Sequence, residues 1–450
     1  MNFDKAKEEI LSNEEKWGEK DLFSRRLLNS ILQGSLKGGA GKKRKRRATP
    51  ERRNVARNIN TSHLEKDTHG FIVHIDHEHG WDRLILAYKP LLHQLLNHPE
   101  IGPQLNYIDG WEEHRVWKHV LYAIEQTLMR WQSNDRVLYA QLQNIANILE
   151  ISVFKLFLLQ VMYEANTLCT SVVIRTNTGK IAHGRTMDWP MPILEKLSVP
   201  VSLYCNNKKI GASMHWLGCV GMFTVMRDKT YSISINYRRF NERDELKDAE
   251  RIIRNRFNWL NYLVQGANWA LGFGNVDIVE TMRSYGVPDI SIIVLSKILK
   301  GLYGAFDATP VTFLMRRILM EESTYQGAVN RLKTTPLFSQ IYFTIAGTNN
   351  NQGEIIARST LEVDGTKTLS PSVPFIVQPN MDWWDPRAMD IMDSKKRIRV
   401  MNGALKKSCT VDTLWNTMKK GGNRNICNDI TVYSTLFIPS DSKFQYTIGN

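Results

Sequence analysis

A chain of 450 residues with 42% hydrophobic side chains and 12 tryptophans can bury a large core, which excludes a disordered or collagen-like protein. The net charge is +14, but residues 37–57 hold ten basic side chains and one acidic one, so the charge describes this segment more than a folded surface. The five cysteines form no CxxC pair, which suggests neither a zinc site nor a disulfide framework and favours a reducing compartment.

Residues 1–62 are predicted to be an appendage outside the folded part of the chain. The first twenty residues are charged throughout and lack the apolar core of a signal peptide, and the stretch GSLKGGAGKKRKRRATPERR cannot bury a core. Such a basic run is typical of nuclear targeting or polyanion binding, but equally of a solvated linker. We expect an intracellular protein, with nuclear or virion-associated locations both open.

Residues 63–168 are predicted to form a short strand, GFIVHID, followed by helices. Apolar residues recur at helical spacing in WDRLILAYKPLLHQLLNH, VWKHVLYAIEQTLMRW and VLYAQLQNIANILEI. The stretch ISVFKLFLLQVMYEAN is apolar on nearly every face, so its helix should be central to the fold. This stretch carries Lys155 and is too short for a membrane span.

After Cys169 the pattern changes to strands joined by tight turns. Three strand–turn–strand patterns centre on the turns NTGK, NNKK and RDKT. Helical patterns return near 249–268 and 311–333, and strands follow at IYFTIAG, EIIARS, PFIVQPN, DITVYSTLFIP and KFQYTIG. The order helices, sheet, helices, sheet predicts a layered α+β protein.

Residue types alone do not identify a catalytic site. A cysteine at a strand start, such as Cys169, is usually a small buried hydrophobic residue, and no histidine lies at an obvious partner position, since His183 is close to Arg185 in the next predicted strand. An arginine and an aspartate three residues apart, as in Arg185 and Asp188, are more often a surface pair than a site. An asparagine at a strand end is most often part of a turn.

A set of motifs in a fixed order resembles the acid ceramidase and N-acylethanolamine acid amidase family of N-terminal-nucleophile cysteine hydrolases, relatives of the choloylglycine hydrolases. The motifs are CTSVV at 169, HGRTMD at 183–188, CVGMFTVMRD at 219–228, SISIN at 232–236, IYFTIAGT at 341–348, VQPNMDWW at 377–384 and DITVYSTL at 429–436. The similarity runs from about residue 70 to the end. It implies a four-layer αββα fold, with 63–168 as a helical pro-segment resembling an α-subunit and 169–450 as the catalytic domain.

The resemblance implies that the chain cuts itself between Leu168 and Cys169. The new N-terminal thiol would then attack the amide of an N-acyl lipid of ceramide or N-acylethanolamine type. The free α-amine, with a reference pKa of about 7.7–8.0, would act as the base, so that no histidine partner is required. Arg185 would hold the substrate carbonyl or the thiolate, and Asp188 would orient the α-amine. No cofactor or metal is implied.

Two asparagines match the family's pattern, and two other positions differ from it. Asn236 and Asn380 match donors that would stabilise an oxyanion, and losing one such donor typically slows a reaction by about 10²–10³-fold. The family has an acidic residue after the first asparagine, but this chain has Tyr237. The family has paired arginines where this chain has Lys395 and Lys396, and lysine cannot make the planar fork of arginine. Tyr237 and Lys395 therefore bear on substrate orientation and on activity.

A second interpretation stays open beside the enzyme. The chain could be an inactive or weakly active relative that serves as a structural or virion-associated interaction protein, with residues 37–57 binding nucleic acid or another polyanion. The lysosomal location that is usual for the family fits this sequence less well, because a signal peptide is not evident. Apolar helical residues within 63–168 could line an acyl channel or contact a membrane surface, although core packing is the simpler explanation. The sequence does not indicate an oligomeric state.

Overall fold

The structure is a computed structural model that describes the chain in several stretches. These are residues 59–99, 101–102, 105, 135–166, 168–238, 309–349, 351–385, 388 and 390–449. All of them belong to one unit that spans Arg53–Asp244 and Lys297–Asn450. The basic segment 37–57, the stretch VWKHVLYAIEQTLMRW and the helical pattern near 249–268 lie outside the described residues.

Two β-sheets form the centre of the described structure. The strands are β1 Phe71–His74, β2 Leu168–Arg175, β3 Ile181–Asp188, β4 Ser198–Cys205, β5 Lys208–Trp216, β6 Thr224–Arg227, β7 Tyr231–Tyr237, β8 Ile341–Ala346, β9 Gly353–Arg358, β10 Val363–Thr368, β11 Phe375–Gln378, β12 Thr431–Ile438 and β13 Lys443–Ile448. One sheet has the order β1-β4-β5-β6-β7-β8-β9-β10 and the other β11-β2-β3-β12-β13. β1 pairs with β4 in parallel, so the segment before Cys169 contributes a strand to the larger sheet.

The described helices cover the outer faces of these sheets. They are α1 Asp82–Leu96, α2 Arg136–Leu149, α3 Val153–Asn166, α4 Ile193–Leu197, α5 Val311–Glu321, α6 Tyr325–Thr334, α7 Ser394–Lys407 and α8 Val411–Met418. The helical pattern at 311–333 is two helices, because Thr324 starts a new one by accepting a hydrogen bond from the Gly327 backbone N–H. Short 3₁₀ turns lie at Ile391–Asp393 and Pro439–Asp441.

The three predicted hairpins are confirmed, and their turn residues explain them. Asn206 and Asn207 have φ values of 51° and 57°, as a two-residue turn between β4 and β5 requires. Lys229, between β6 and β7, has a φ of 57°, and Gly179, between β2 and β3, has a φ of 81°. Glycine and asparagine tolerate these left-handed conformations better than other residues.

The core has four layers, which confirms the predicted αββα arrangement. On the outer face of the five-stranded sheet, Val172 and Leu436 pack with Met401 of α7 and Leu414 of α8. The eight-stranded sheet packs with the remaining layer of helices, and the shared cluster includes Val201, Leu91, Leu142 and Leu314. Polar side chains join the two sheets between their inner faces, where Ser171 Oγ lies 2.8 Å from Ser234 Oγ.

The helices before Cys169 belong mainly to this core. The apolar faces of α1 and α2 are buried in it, including Ile85, Leu92 and Ile145. Among the described residues, no single helix is long and apolar enough to cross a membrane. By length and composition, α2 together with Val153–Val161 of α3 would pass that test as a pair bent by 110°.

Candidate active site

Cys169 is fully buried near the start of β2, on the face that looks toward the larger sheet. The register pairs Cys169 with Met187 and Ser171 with Arg185. Because alternate residues of a strand share a face, Cys169, Ser171 and Arg185 all project to the same side. Arg185 Nη2 donates a hydrogen bond to Cys169 Sγ at 3.2 Å. A fixed positive charge at this distance favours the thiolate, which is the nucleophilic form of cysteine.

Arg185 is held in place by groups from several strands. Its Nη2 also donates to the carbonyl oxygen of Ile235 at 3.0 Å, and its Nη1 donates to Thr224 Oγ1 and to Tyr433 Oη. Burial raises the pKa of Tyr433, so its hydroxyl stays neutral and can accept from the guanidinium. The arginine therefore reaches the sulfur in one fixed orientation, as catalysis by a preorganised charge requires.

Asp188 lies on the opposite face of the sheet from Arg185. β3 ends at Asp188, whose partner across the strand pair is Leu168. Because residues three apart on a strand point to opposite faces, Arg185 points toward the Cys169 thiol and Asp188 points to the opposite face of the sheet, beside Leu168. Arg185 and Asp188 therefore lie on opposite faces of the sheet, close to the start of β2.

Arg397 of α7 is a site residue to which no sequence motif pointed. Its Nη1 donates to Asp188 Oδ2 and, at 3.1 Å, to Thr170 Oγ1. Both members of the ion pair are buried, with side chains 3% and 0% exposed. Arg397 shares the buried stripe of α7 with Met401 and Leu405. This four-residue spacing is the sequence signal that could have revealed it.

A β-bulge in β12 lets this strand serve both faces of β3. Thr431 pairs with Asp188, while Tyr433 pairs with the residue before Asp188, so Val432 is the extra residue. In a regular strand Thr431 and Tyr433 would point to the same face. With the bulge, Thr431 Oγ1 donates to Asp188 Oδ1 at 2.6 Å while Tyr433 contacts Arg185 on the other side.

Asn380 contacts the nitrogen of the bond that would be cut. Its Oδ1 accepts the Cys169 backbone N–H at 2.7 Å, although the two residues lie 211 positions apart. Its Nδ2 donates to the Tyr237 carbonyl at 2.7 Å. Tyr237 therefore contributes a backbone carbonyl here, which any residue would supply, and its half-buried side chain is not needed for this contact. The replacement of the family's acidic residue leaves the contact intact.

Asn236 lies on the inner face of β7, opposite β2. Its Oδ1 accepts from Ser171 Oγ at 2.6 Å, and its Nδ2 donates to the Gln378 carbonyl at 2.7 Å. An amide NH₂ carries two hydrogens, so it can hold a carbonyl with one and stabilise an oxyanion with the other. Asn236 therefore faces the side of β2 that carries Cys169. Its hydrogen-bond partner, Ser171, lies two residues after Cys169 on that side.

Lys395 is not brought into this site. It is exposed on α7, where its backbone N–H donates to Asp390 Oδ1 at 2.9 Å, and Lys396 is also exposed. The guanidinium that α7 sends into the site comes from Arg397 instead. The two lysines therefore do not alter the surroundings of Cys169.

His183 bridges the sheets and is not placed to act as a base. Its two ring nitrogens lie 3.0 Å from Ser232 Oγ and 2.9 Å from Ser234 Oγ. Burial, together with the positive charge of Arg185, lowers the pKa of His183 to about 3. The imidazole is therefore neutral at ordinary pH, and both of its nitrogens are engaged by serine hydroxyls.

A second cluster, centred on the buried Arg238, fixes the loop that carries Asn380. Arg238 Nε and Nη2 donate to the two oxygens of Asp382 at 2.8 Å and 2.9 Å, and Tyr342 Oη donates to Asp382 Oδ1 at 2.6 Å. Arg238 also pairs with Asp364. Because Asp382 lies two residues after Asn380, this bidentate contact holds the asparagine against Cys169.

The chain is similar to known amide hydrolases. A family model described as linear amide C–N hydrolases, choloylglycine hydrolase family, matches residues 169–242. The chain is 25% identical over 347 residues to the N-acylethanolamine-hydrolyzing acid amidase of Oryctolagus cuniculus, covering 75% of this chain and 80% of that protein. It is 22% identical over 322 residues to the acid ceramidase of Mus musculus, covering 68% of each. A solved Caenorhabditis elegans ortholog of the amidase gives a TM-score of 0.44 at 20% identity, covering 63% of this chain and all of that one.

Proposed function

Because the chain belongs to the acid ceramidase and N-acylethanolamine acid amidase family of linear amide C–N hydrolases, we propose that it cleaves the amide bond of an N-acyl lipid after cutting itself between Leu168 and Cys169. Ceramides and N-acylethanolamines are the substrate classes that the names of its relatives suggest. One observation carries the proposal: the buried Cys169 Sγ lies 3.2 Å from Arg185 Nη2, while Asn380 holds the Cys169 backbone N–H.

In the maturation step, the Cys169 sulfur attacks the carbonyl carbon of Leu168. The C–S bond forms as the C–N bond breaks, and the thiol proton passes to the departing nitrogen. Water then hydrolyses the resulting thioester, which releases the Leu168 carboxylate and regenerates the thiol. Asn380 already contacts the leaving nitrogen, and Asp188 faces Leu168 across the strand pair. Its carboxylate is placed to stabilise the new α-ammonium group by a charge-assisted hydrogen bond.

In the mature enzyme the α-amine of Cys169 is the base. Its reference pKa of about 7.7–8.0 allows it to take the thiol proton near neutral pH. The thiolate then attacks the carbonyl carbon of the substrate amide. The amine part of the substrate departs with the proton that the α-amine had taken, and water hydrolyses the acyl-enzyme to release the fatty acid. Arg185 stabilises the thiolate, and the side-chain amides of Asn236 and Asn380 donate to the developing oxyanion.

The arrangement of side chains supports a hydrolase over an inactive relative. The doubts raised by the sequence concern Tyr237 and Lys395. Tyr237 enters the site through its backbone carbonyl, and Lys395 lies outside the site while Arg397 supplies a buried guanidinium. Cys169 contacts both Arg185 and Asn380, which supports the proposal of an active enzyme.

Intact mass and hydrolysis of a fluorogenic N-acyl amide test the proposal together. The purified wild-type chain, incubated over a range of pH, should give two fragments, of which the C-terminal one begins at Cys169, and should hydrolyse the amide. Cys169→Ala should remain a single chain and be inactive. Cys409→Ala, which removes a thiol elsewhere in the molecule, should behave as wild type. A wild-type chain that stays intact and inactive at every pH would contradict the proposal.

A further inference from the structure

The end of β1 and the loop that follows it bring together three side chains of types that commonly bind metal ions. This cluster is separate from the site around Cys169. One ring nitrogen of His74, one of His77 and one carboxylate oxygen of Asp76 all lie within 4.8 Å of one another. The two imidazole rings are stacked, with centroids 5.0 Å apart and planes at 18°. The sequence His-Ile-Asp-His therefore brings two nitrogen donors and one oxygen donor to one point.

Two polar atoms of this cluster, His74 Nδ1 and Asp76 Oδ1, have no hydrogen-bond partner within bonding geometry in the part of the chain that the structure describes. The Asp76 carboxylate nevertheless lies beside the Cys205 thiol at the end of β4, whose pKa is raised by burial and by this carboxylate. The other carboxylate oxygen, Asp76 Oδ2, accepts the backbone N–H of Asn206 at 2.6 Å. Buried polar groups in folded proteins nearly always have a partner, and an exception calls for an explanation such as a bound water or ion. A cation bound by His74 Nδ1 would supply the partner that this atom lacks.

Side chains from two helices hold the loop in this shape. Gln141 Nε2 of α2 donates to the carbonyls of Ile75 and His77, at 3.2 Å and 2.5 Å. Arg316 Nη2 of α5 donates to the Ile75 carbonyl at 2.6 Å. The backbone between the donor residues is thus fixed by groups outside the cluster. A site whose donors are positioned in advance loses less conformational entropy when it binds its ion.

We propose that His74, Asp76 and His77 bind a divalent transition metal, for which zinc is the best fit. Imidazole nitrogen and carboxylate oxygen are ordinary zinc ligands, whereas magnesium and calcium select oxygen donors. With bonds of about 2.0–2.2 Å, a tetrahedral ion would draw the three donors to about 3.4 Å from one another and leave a fourth position for water. Because Asp76 also bonds Asn206 in the β4–β5 turn, the ion would join the end of β1 to that hairpin.

Zinc titration of the chelator-treated full-length chain tests this site directly. Calorimetry, in competition with a chelator of known affinity, should show one more tightly bound equivalent of zinc in wild type than in His74→Asn/His77→Asn. Loss of one ligand should weaken that equivalent by about 100-fold or more, since even residues behind the ligands change metal affinity by about 10–100-fold. Zinc should also raise the unfolding temperature of wild type but not of the double variant. Magnesium should do neither.

Two further variants keep the test decisive. His77 is exposed, so His77→Asn should fold normally and still lose the tight equivalent. His79→Asn is the matched control, because His79 contacts Asp82 and Asn144 and lies outside the cluster. This variant should bind zinc as wild type does. Zinc that binds to Cys169, Cys219, Cys409 or Cys427, which lie outside this cluster and form no disulfide, is a background common to all variants. The same stoichiometry and affinity in wild type and His77→Asn, or no tight equivalent in wild type, would overturn the proposal.

Discussion

Replacing Arg397 with leucine should destabilise the folded protein by about 3–5 kcal/mol, because the Asp188 carboxylate would stay buried without its guanidinium partner. The side chains of this pair are only 3% and 0% exposed, so water cannot replace the arginine. Thr431 Oγ1 still donates to Asp188, which places the expected loss toward the lower end of this range. Leucine suits the apolar stripe that Arg397 shares with Met401 and Leu405, so the loss should come from the carboxylate and not from packing.

Urea unfolding at equilibrium, followed by tryptophan fluorescence and circular dichroism, measures this loss. Arg397→Leu should shift the midpoint to lower urea, and Asp188→Asn/Arg397→Leu should recover much of the shift because no charge is then left buried. The control is Arg399→Leu, at an exposed position of the same helix. It should change stability by no more than about 0.5 kcal/mol.

Two outcomes would refute this reasoning about the buried pair. An Arg397→Leu variant as stable as Arg399→Leu would mean that the ion pair contributes nothing measurable. A double variant no more stable than Arg397→Leu would mean that the loss arises from packing around α7. Either result would leave the role of Arg397 beside Asp188 without support.

Three further predictions concern the site, the pH response and the basic segment. Arg185→Lys should slow self-cleavage by about 10²–10³-fold, measured as the rate of fragment appearance, because a lysine cannot reproduce the fork of contacts that holds the charge beside Cys169. Acidification should destabilise the fold, because the pKa values of His183 and His215 are lowered by burial from 6.5 to about 3. The contribution of these neutral histidines to the free energy of unfolding is complete above their unfolded pKa of about 6.5 and falls as the pH drops toward 3. At pH 5 the loss is about 2 kcal/mol per histidine. In urea unfolding, the stability of His183→Gln/His215→Gln should therefore depend less on pH than that of wild type. Deleting residues 37–57 should abolish salt-dependent binding to duplex nucleic acid, measured by fluorescence anisotropy.

Each of these expectations has a result that contradicts it. Wild-type rates of cleavage in Arg185→Lys would show that the guanidinium is not needed beside the thiol. A urea midpoint that does not move between neutral and acidic pH would show that the two histidines take up protons in the folded state. Duplex binding that survives the deletion, or that is insensitive to salt, would remove the basic segment as a nucleic-acid contact.

Most of the described fold follows from hydrophobic periodicity and turn residues. The β2–β3 and β4–β5 hairpins have strand-type segments on either side of turns that contain asparagine or glycine, and the structure has them where the sequence predicts them. β10 gives no such signal, because Val363–Thr368 is a polar, largely exposed strand at the edge of its sheet. Its strand pairing comes from the neighbouring β9, which local sequence patterns cannot report.

The candidate site is predicted by the order of the motifs along the chain and not by the spacing within any one of them. Strand alternation puts Arg185 and Asp188 on opposite faces of β3. Only the register with β2 shows that Arg185 then lies on the side of the Cys169 thiol, while Asp188 pairs with Leu168. The Arg397 contact spans 209 positions. It depends on how α7 packs against the sheet, so a short motif cannot encode it. The bulge at Val432 adds one residue to β12, and this irregularity has no signature in residue type.

N-terminal sequencing of the fragments from folded, full-length protein tests the central claim most directly. We expect a C-terminal fragment whose first residue is Cys169, produced by the folded chain without added protease and absent from Cys169→Ala. A single intact chain at every pH, or a first residue other than Cys169, would contradict it.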